Sequence, residues 1–337
     1  MLYREDFLAA NPTKKLYLDG LNRLLTERKE TASARRAQYV KDILRDPERY
    51  RRDLCEMLGW PLVDYVKEGA PRVTSTLLAD EETHRVLRLS FEILEGLWMS
   101  GLYFQYKEEG KHPLVLVQHG GLGTPELIAG FLGDTTNYHD MLERVIRHGL
   151  HAFAPQLLIW EDRYEIPFDR KEMDAELKRV GSSITAIEVF GLTRILDYFE
   201  QQSEVSTFGM VGLSYGGFYT LYTTAIDTRI RSAISCAFFN SRDRIGWSDW
   251  TFWRSAEKFD DAEIAALAYP RHLCIEIAKD DPLFDSRYGL ASYERLRDLC
   301  ASVGTDFLDF ILFDGVHEFH KDDAPIADLV RRLKNEG

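Results

Sequence analysis

Hydrophobic residues in the second half of the chain form short, uninterrupted runs that alternate with segments of helical periodicity. The runs lie at residues 114–118, 151–155, 207–211, 230–237, 273–278 and 307–313. Strands that are apolar on both faces are typical of a parallel sheet that helices cover on both sides. The pattern therefore predicts an α/β fold with a doubly wound, mostly parallel sheet.

The residues before these runs have a different period of hydrophobic positions. Apolar and polar residues alternate at 87–93, and a second apolar run at 97–106 follows after a short polar turn. A period of two is typical of a strand with one buried and one exposed face, and the short turn joins two such strands side by side. We therefore expect antiparallel first strands that lead into the main sheet.

The first sixty residues are highly charged and have a helical period. They predict helices at 32–45 and 48–58, which are separated before Pro47 because proline cannot continue the first helix. We interpret residues 1–70 as a helical N-terminal extension that packs on the core. Residues 71–337 then form the main domain, long enough to bury a core of its own.

Composition narrows the classes of partner. The 337-residue chain is 45% hydrophobic and has a formal net charge of −13. This charge repels phosphate backbones and anionic lipid headgroups, so we expect neither nucleic acid nor a membrane as partner. No apolar run approaches the roughly 20 residues of a membrane span, and the first residues lack the layout of a signal peptide. We expect a cytoplasmic protein that binds a small molecule, and the sequence leaves open whether it forms a homo-oligomer.

The four cysteines, Cys55, Cys236, Cys274 and Cys300, are far apart in sequence and form no C-x-x-C pair. Two of them lie within apolar runs, where a thiol is buried like a small hydrophobic side chain. The spacing therefore predicts free thiols and neither disulfides nor a zinc site, and we expect no metal at the functional site.

One glycine-rich turn offers a candidate nucleophile. The residues Gly212-Leu213-Ser214-Tyr215-Gly216 fit the G-x-S-x-G pattern, in which a strand enters a sharp turn that carries a serine and continues into a helix. A side chain at either glycine would collide with the neighbouring strand or helix. Because the pentapeptide also arises by chance as an ordinary turn, the prediction depends on an oxyanion glycine upstream and on an acid and a histidine downstream.

A second glycine-rich loop, His119-Gly120-Gly121-Leu122-Gly123, follows the first apolar run. Backbone N–H groups of such a loop can approach a carbonyl oxygen on which negative charge develops, and each donor is worth about 3 kcal/mol. We predict that the N–H groups of Gly121 and Tyr215 form an oxyanion hole. The alternative is a turn that only reverses the chain. His119 precedes the glycines, and we expect its ring to brace the loop.

Two carboxylates, Asp280 and Asp281, follow the fifth apolar run, and His317 follows the sixth. An acid at a strand end can accept a hydrogen bond from an imidazole and fix its tautomer, and the imidazole can then take the proton of a serine. We predict Asp281 as the acid, with Asp280 as its rival, and His317 as the base. Asp285 is expected to cap the next helix, and His320 to lie in the first turn of the last one.

These residues carry a resemblance to a known family. The order Ser214, Asp281, His317 after an upstream His-Gly-Gly resembles the α/β-hydrolase superfamily, and within it the dienelactone hydrolase and acetyl xylan esterase-like branch. Residues 269–273 are similar to the Pro-Arg-Pro-Leu segment of that branch, and residues 315–318 are similar to its Gly-x-His-Glu loop. The oxyanion loop departs from the His-Gly-Tyr of acetyl xylan esterases, so the substrate class of those enzymes does not carry over directly.

The resemblance implies a serine hydrolase that needs no cofactor. It would cleave a carboxylic ester, small or carbohydrate-linked, through an acyl-enzyme intermediate. Two alternatives stay open at this point, namely a serine peptidase with the same three residues and a non-catalytic binding protein of the same fold. The intact order of serine, acid and histidine counts against the last of them.

The alternation of strand and helix is interrupted at about 157–179 and 240–265, which predicts two insertions into the main domain. The insertions concentrate tryptophans, namely Trp160, Trp247, Trp250 and Trp253. Indole rings stack on sugars or aromatic acids, so we predict these four as substrate-binding residues, and the alternative is that they pack the insertions onto the domain. The charges between Arg170 and Lys178 are expected to be solvated.

Overall fold

The structure is a computed structural model that describes residues 2–66, 69–159, 166–301 and 307–335. Its strands are β1 (Val73–Asp80), β2 (His84–Leu94), β3 (Leu97–Tyr106), β4 (His112–Gln118), β5 (His151–Pro155), β6 (Val205–Leu213), β7 (Ile230–Cys236), β8 (His272–Ala278) and β9 (Leu308–Phe313). Within the described residues these strands form one sheet in the order β1-β2-β3-β5-β4-β6-β7-β8-β9. The predicted α/β fold is therefore confirmed.

The direction of pairing also agrees with the sequence. From β5 to β9 along the sheet, all neighbouring strands are parallel. The first three strands are antiparallel, and β3 joins the parallel part through an antiparallel pairing with β5. The alternating pattern at 87–93 and the run at 97–106 thus lie in the antiparallel strands that they predicted.

The helices are α1 (Asn11–Tyr39), α2 (Pro47–Leu58), α3 (Pro125–Ile128), α4 (Met141–Ile146), α5 (Arg170–Arg179), α6 (Ile184–Phe199), α7 (Tyr215–Ile226), α8 (Ser255–Lys258), α9 (Asp261–Ala266), α10 (Ser286–Ala301) and α11 (Ala324–Asn335). Helix α2 begins at Pro47, one residue before the predicted start at 48, and Asp46 caps it by accepting the N–H of Arg49 at 3.3 Å. Gly59 ends α2 at φ +100°, where a side chain would meet the carbonyl oxygen of Gly181.

The bounds predicted for the first helix are wrong. Helix α1 begins about twenty residues before position 32 and ends at Tyr39 rather than at Arg45. After Tyr39 the chain forms turns instead of a helix, and these turns bury Val40, Ile43 and Leu44 in the core. Within α1 only Ala32 and Arg36 are buried, so the helix packs on the domain through its C-terminal part.

Two hydrophobic cores cover the two faces of the sheet. Leu114 and Leu116 of β4 pack in the core that α2, α6, α7, α9 and α10 complete. Val115 and Val117 of the same strand point to the opposite face, into the core with α3, α4 and α11. This arrangement explains the uninterrupted apolar runs, because consecutive side chains of a parallel strand are buried on opposite faces.

The register of the parallel strands brings four loops to one edge. Gln118 at the end of β4 pairs with Gly212, Leu213 of β6 pairs with Cys236, and Ala278 of β8 pairs with Phe313 of β9. Carboxyl ends of parallel strands meet at the same edge, and the crevice outside them is where open α/β sheets bind ligands. The predicted oxyanion loop, serine, acid and histidine therefore follow neighbouring strand ends.

The cysteines are free thiols, as predicted, and Cys236, Cys274 and Cys300 are buried. Among the described residues, none of the helices has the length and apolar content that crossing a membrane requires.

Candidate active site

Ser214 occupies the sharp turn between β6 and α7. Its backbone has φ 60° and ψ −119°, a conformation that is disfavoured for a residue with a side chain and that persists where the surroundings enforce it. A Cβ on Gly212 would lie 2.3 Å from the carbonyl oxygen of Gly216, and one on Gly216 would lie 2.1 Å from that of Gln118. Both glycines are thus needed for the close approach of strand and helix. The N–H of Ser214 donates to the carbonyl of Cys236 at 2.9 Å, which holds the turn against β7.

The hydroxyl of Ser214 is not used to build the fold. It does not cap α7, and none of the residues that the structure describes forms a hydrogen bond with it, His317 included. Hydrogen bonds between catalytic groups are often long before a substrate is bound, so this geometry is compatible with a nucleophile.

His317 and Asp281 form a hydrogen-bonded pair. Nδ1 of His317 lies 2.8 Å from Oδ2 of Asp281, and the carboxylate is almost fully buried. Its other oxygen accepts the N–H groups of Leu283 at 2.8 Å and Phe284 at 3.0 Å. With Nδ1 committed to the carboxylate, Nε2 is the nitrogen that can accept a proton. The rival acid, Asp280, is exposed, and its N–H donates to the carbonyl of Gly315.

The glycine loop after β4 lies against the serine. It closes with a hydrogen bond from Gly123 N to Gly120 O at 3.2 Å, and Leu122 takes a left-handed conformation at φ 58°. A Cβ on Gly120 would come within 3.1 Å of the Cβ of Ser214. The N–H of Gly121 has no acceptor among the described residues, so it can serve a ligand.

His119 braces this loop, as predicted. Its ring is fully buried, and Nε2 accepts the N–H of Leu157 at 3.2 Å. The proton is therefore on Nδ1, which donates to the carbonyl of Gly120 at 2.9 Å. Burial lowers the pKa of His119 from its usual 6.5 to about 4, which keeps the ring neutral near pH 7.

Comparison with known proteins shows what the sequence and the fold of this chain are similar to. No protein-family model matches the chain. The "Putative hydrolase YtaP" of Bacillus subtilis (strain 168) is 26% identical over 244 residues, which are 67% of this chain and 78% of that protein. The solved structure of a "putative acetyl xylan esterase" from Bacteroides fragilis NCTC 9343 is similar with a TM-score of 0.65 and 16% identity, over 81% of this chain and 76% of the other. The acetyl xylan esterase from Paenibacillus sp. R4 is similar with a TM-score of 0.59 and 17% identity, over 87% and 95%.

The chain has the α/β-hydrolase fold. Its structural similarity to two acetyl xylan esterases agrees with the fold that the sequence motifs indicated.

The predicted substrate-binding tryptophans lie in different environments. Trp250 is buried and packs at 4.6 Å from the ring of Tyr215, inside the aromatic core. Trp253 is 88% exposed and lines a surface cavity of about 500 Å³ beside the end of α2. Trp247 is half-buried and stacked on Tyr215 at 5.8 Å, and Trp160 lies outside the described residues. Of the three that the structure describes, Trp247 is the one that lies beside the serine turn with part of its surface exposed.

The expectation of solvated charges in the first insertion is wrong for two residues. Arg170 and Asp174 of α5 are buried. Nη2 of Arg170 lies 2.9 Å from Glu188 of α6, and Nε lies 2.8 Å from Asp249 of the second insertion. Asp249 also accepts the hydroxyl of Tyr215 at 2.8 Å. A charge run on a helix does not reveal such a network, because the partner carboxylates are distant in sequence.

Electrostatics keep the guanidinium of Arg170 charged. Burial disfavours the charge of Arg170, but the carboxylate of Glu188, the neighbouring Tyr219 and Asp249 outweigh it and raise the pKa of the guanidinium well above its usual value. The network thereby links both predicted insertions to Tyr215, the residue directly after the candidate nucleophile.

His320 does not lie in a helix, contrary to expectation, because α11 begins only at Ala324. Its Nδ1 lies 3.1 Å from Glu276 of β8, and its ring stacks on Phe313 at 4.6 Å. Asp285 precedes α10 and accepts the N–H of Arg287 at 3.0 Å, the capping role that the sequence predicted.

One cluster among the described residues has the side chains of a metal site. It consists of His272, Asp309 and Asp328, at the opposite ends of β8 and β9 from Asp281 and His317. Nε of Arg332 lies 2.6 Å from Asp328 Oδ2, so a cation already neutralises this carboxylate. The cluster is structurally separate from the candidate active site.

Proposed function

We propose that this protein is a serine esterase that hydrolyses a carboxylic ester through an acyl-enzyme intermediate. The observation that carries the proposal is the buried hydrogen bond between Asp281 and His317, at the sheet edge where Ser214 occupies a strained turn. A carboxylate, an imidazole and a serine on separate loops are the parts that acyl transfer requires, and they are recognised by geometry and not by sequence position.

The proposed reaction has two halves. His317 Nε2 takes the proton of Ser214 as Oγ attacks the ester carbonyl, and the negative oxygen of the tetrahedral intermediate accepts the N–H groups of Gly121 and Tyr215. The carbon–oxygen bond to the alcohol then breaks, and His317 protonates the leaving oxygen. A water molecule that gives its proton to His317 attacks the acyl group, and the acid leaves as Ser214 regains its proton. Asp281 holds the imidazole in the required tautomer throughout.

One finding favours an ester over a peptide substrate, and a second indicates which groups the substrate carries. The structural neighbours are named as esterases, and the curated relative is named as a hydrolase. The half-buried indole of Trp247 beside Tyr215 offers a flat apolar surface that suits a sugar or an aromatic group. We therefore propose a small or carbohydrate-linked ester as the substrate class.

Intact-mass spectrometry tests the nucleophile without a known substrate. The wild-type chain is treated with an organophosphonate ester in parallel with Ser214→Ala. We expect a single phosphonyl adduct on the wild type and none on the variant. An unmodified wild type would instead support a binding protein of this fold.

A second assay separates ester from peptide hydrolysis. Release of p-nitrophenol from a short acyl ester is compared with release of p-nitroaniline from an aminoacyl anilide. We expect turnover of the ester, with a loss of several orders of magnitude in Ser214→Ala and in His317→Ala, because such residues act as a unit. Preferential turnover of the anilide would favour a peptidase.

A further inference from the structure

Tyr138 lies inside the turn that carries the proposed oxyanion donor. The side chain is buried, and its hydroxyl oxygen accepts the N–H of Gly120 at 2.8 Å. A Cβ on Gly123 would lie 2.1 Å from the same oxygen. The backbone from Gly120 to Gly123 therefore wraps around this hydroxyl group. Because Gly121 lies between the two glycines, the direction of its N–H depends on where the hydroxyl sits.

The residue before Tyr138 holds the loop of the proposed general base. Nδ2 of Asn137 donates to the carbonyl of His317 at 3.0 Å, and the carbonyl of Asn137 accepts the N–H of Phe319 at 2.8 Å. These two bonds are made to the residues on either side of Glu318. The Oε2 atom of Glu318 itself lies 2.6 Å from Nε2 of His139. Tyr138 thus contacts the oxyanion loop, and its two neighbours, Asn137 and His139, contact the histidine loop.

The backbone of this segment is strained. Thr136, His139 and Asp140 all have left-handed φ angles, at 51°, 46° and 56°, although none is glycine. Thr135 fixes the end of the segment, since its hydroxyl donates to Asp140 Oδ1 at 2.7 Å and accepts the N–H of Asp140 at 2.9 Å. Strain of this kind persists where the surrounding contacts demand one conformation, and it concentrates at functional sites.

We propose that Tyr138 is a positioning residue for catalysis. Its hydroxyl aims the Gly121 N–H at the oxyanion, and through Asn137 the same segment sets the oxyanion loop at a fixed distance from His317. The inference rests on the proposed esterase function, since an oxyanion forms only in acyl transfer. Without the hydroxyl, the Gly120 N–H is buried with no acceptor, and the turn relaxes away from the position that the oxyanion requires.

This role predicts a specific kinetic signature. An oxyanion donor acts on the tetrahedral intermediate and hardly on the bound ester, so misplacing it lowers kcat and leaves KM unchanged. Loss of a whole donor costs about 10²- to 10³-fold in kcat, and a misaimed one less. We expect Tyr138→Phe to lower kcat by about 10- to 100-fold.

The matched control is Tyr103→Phe. Tyr103 is also buried, and its hydroxyl also makes a hydrogen bond, at 3.2 Å to His151 on the antiparallel side of the sheet. Both variants lose one buried hydroxyl. We expect Tyr103→Phe to keep the wild-type kcat. An aryl trifluoromethyl ketone, which forms a tetrahedral adduct with serine, supplies a second readout, and its Ki should rise in Tyr138→Phe by the factor that kcat falls.

Gly123→Ala gives an independent route to the same displacement. The added methyl group would overlap the Tyr138 hydroxyl, so this variant should show the same loss of kcat with unchanged KM. Removing the hydroxyl takes away the overlap at 2.1 Å and leaves the ring carbon Cζ 3.0 Å from the added methyl group. Because both changes act on one contact, their losses of kcat should not multiply in the double variant Gly123→Ala, Tyr138→Phe.

Several results would overturn the inference. One such result is that Tyr138→Phe has the same kcat and the same ketone Ki as Tyr103→Phe. Another is that the kcat of the double variant falls by the product of the two single losses. If Tyr138→Phe lowers kcat, raises KM and lowers Tm together, then Tyr138 has only a structural role. Failure of the proposed function is distinguishable, because the wild type would then lack the Ser214 adduct and the ester turnover themselves.

Discussion

His317 Nδ1 lies 2.8 Å from Oδ2 of Asp281, while the neighbouring Asp280 is exposed and takes no part in this contact. The difference follows from the backbone, because the N–H groups of Leu283 and Phe284 hold the other oxygen of Asp281 beneath the histidine loop. Asp280 and Asp281 are adjacent in sequence, but only Asp281 is buried and bonded to the imidazole, while Asp280 is solvated.

This relationship predicts a ranking of two conservative variants. Asp281→Asn should lower kcat by about 10³- to 10⁴-fold, since an amide in this place favours the wrong imidazole tautomer. Asp280→Asn should stay within about threefold of the wild type, as expected for a surface change. Steady-state kinetics on a p-nitrophenyl ester decides between them, and the opposite ranking would show that the acid is misassigned.

The buried network at Arg170 predicts a large loss of stability. Arg170→Met removes the cation and leaves Glu188 and Asp249 buried without it, which should lower the free energy of unfolding by about 3–5 kcal/mol. Urea denaturation followed by fluorescence measures this. Arg179→Met on the same helix is the control, because Arg179 pairs with Glu176 at the exposed surface and should leave the stability nearly unchanged. Equal effects of the two variants would contradict the importance of the network.

Buried histidines predict a loss of stability in acid. Burial lowers the pKa of His151 from its usual 6.5 to about 4, so the unfolded chain binds a proton there between these values and the folded chain does not. The contribution of His151 is therefore complete above pH 6.5 and is lost as the pH falls toward 4.

The variant His151→Gln isolates this contribution. It should be less stable than the wild type at pH 7, because Nδ1 of His151 accepts the N–H of Tyr106 at 3.0 Å. Its stability should nevertheless fall less between pH 6.5 and pH 4.5. Urea midpoints at several pH values give both slopes, and parallel curves would disprove the assignment.

The placement of two tryptophans predicts different effects on substrate binding. Trp247→Ala should raise KM for aryl or sugar esters by about 5- to 10-fold through loss of a stacking surface. Trp253→Ala should leave KM unchanged, since this exposed indole lies beside α2, away from the serine turn. A panel of p-nitrophenyl esters and acetylated sugars measures both, and an unchanged KM in Trp247→Ala would restrict that residue to packing.

Local pattern was sufficient for much of this fold. The apolar runs at 114–118 and 273–278 lie in strands because their residues are buried on both faces of a parallel sheet, which leaves no polar alternation to confuse the assignment. The positions of Ser214, Asp281 and His317 after strand ends could be predicted from the same pattern, because parallel strands have their carboxyl ends at one edge of the sheet.

Other features were beyond the sequence because their partners are distant along the chain. Arg170 sits in a charged run typical of a solvated helix, and its burial depends on Glu188 and Asp249. Tyr138 lies in a segment without a motif, 18 residues after Gly120, and the contact between the two arises only when the chain after β4 folds back on itself.

By itself, the sequence determined the class of fold, the direction of the strands and the set of residues from which an active site could be built. Hydrophobic period and glycine placement are local consequences of backbone geometry, so they can be read along the chain. Only the tertiary structure decided which carboxylate reaches His317, which tryptophan lies half-buried on Tyr215 and which side chain fills the glycine turn after β4. Those outcomes depend on distances of a few ångströms between residues that packing, and not sequence, makes neighbours.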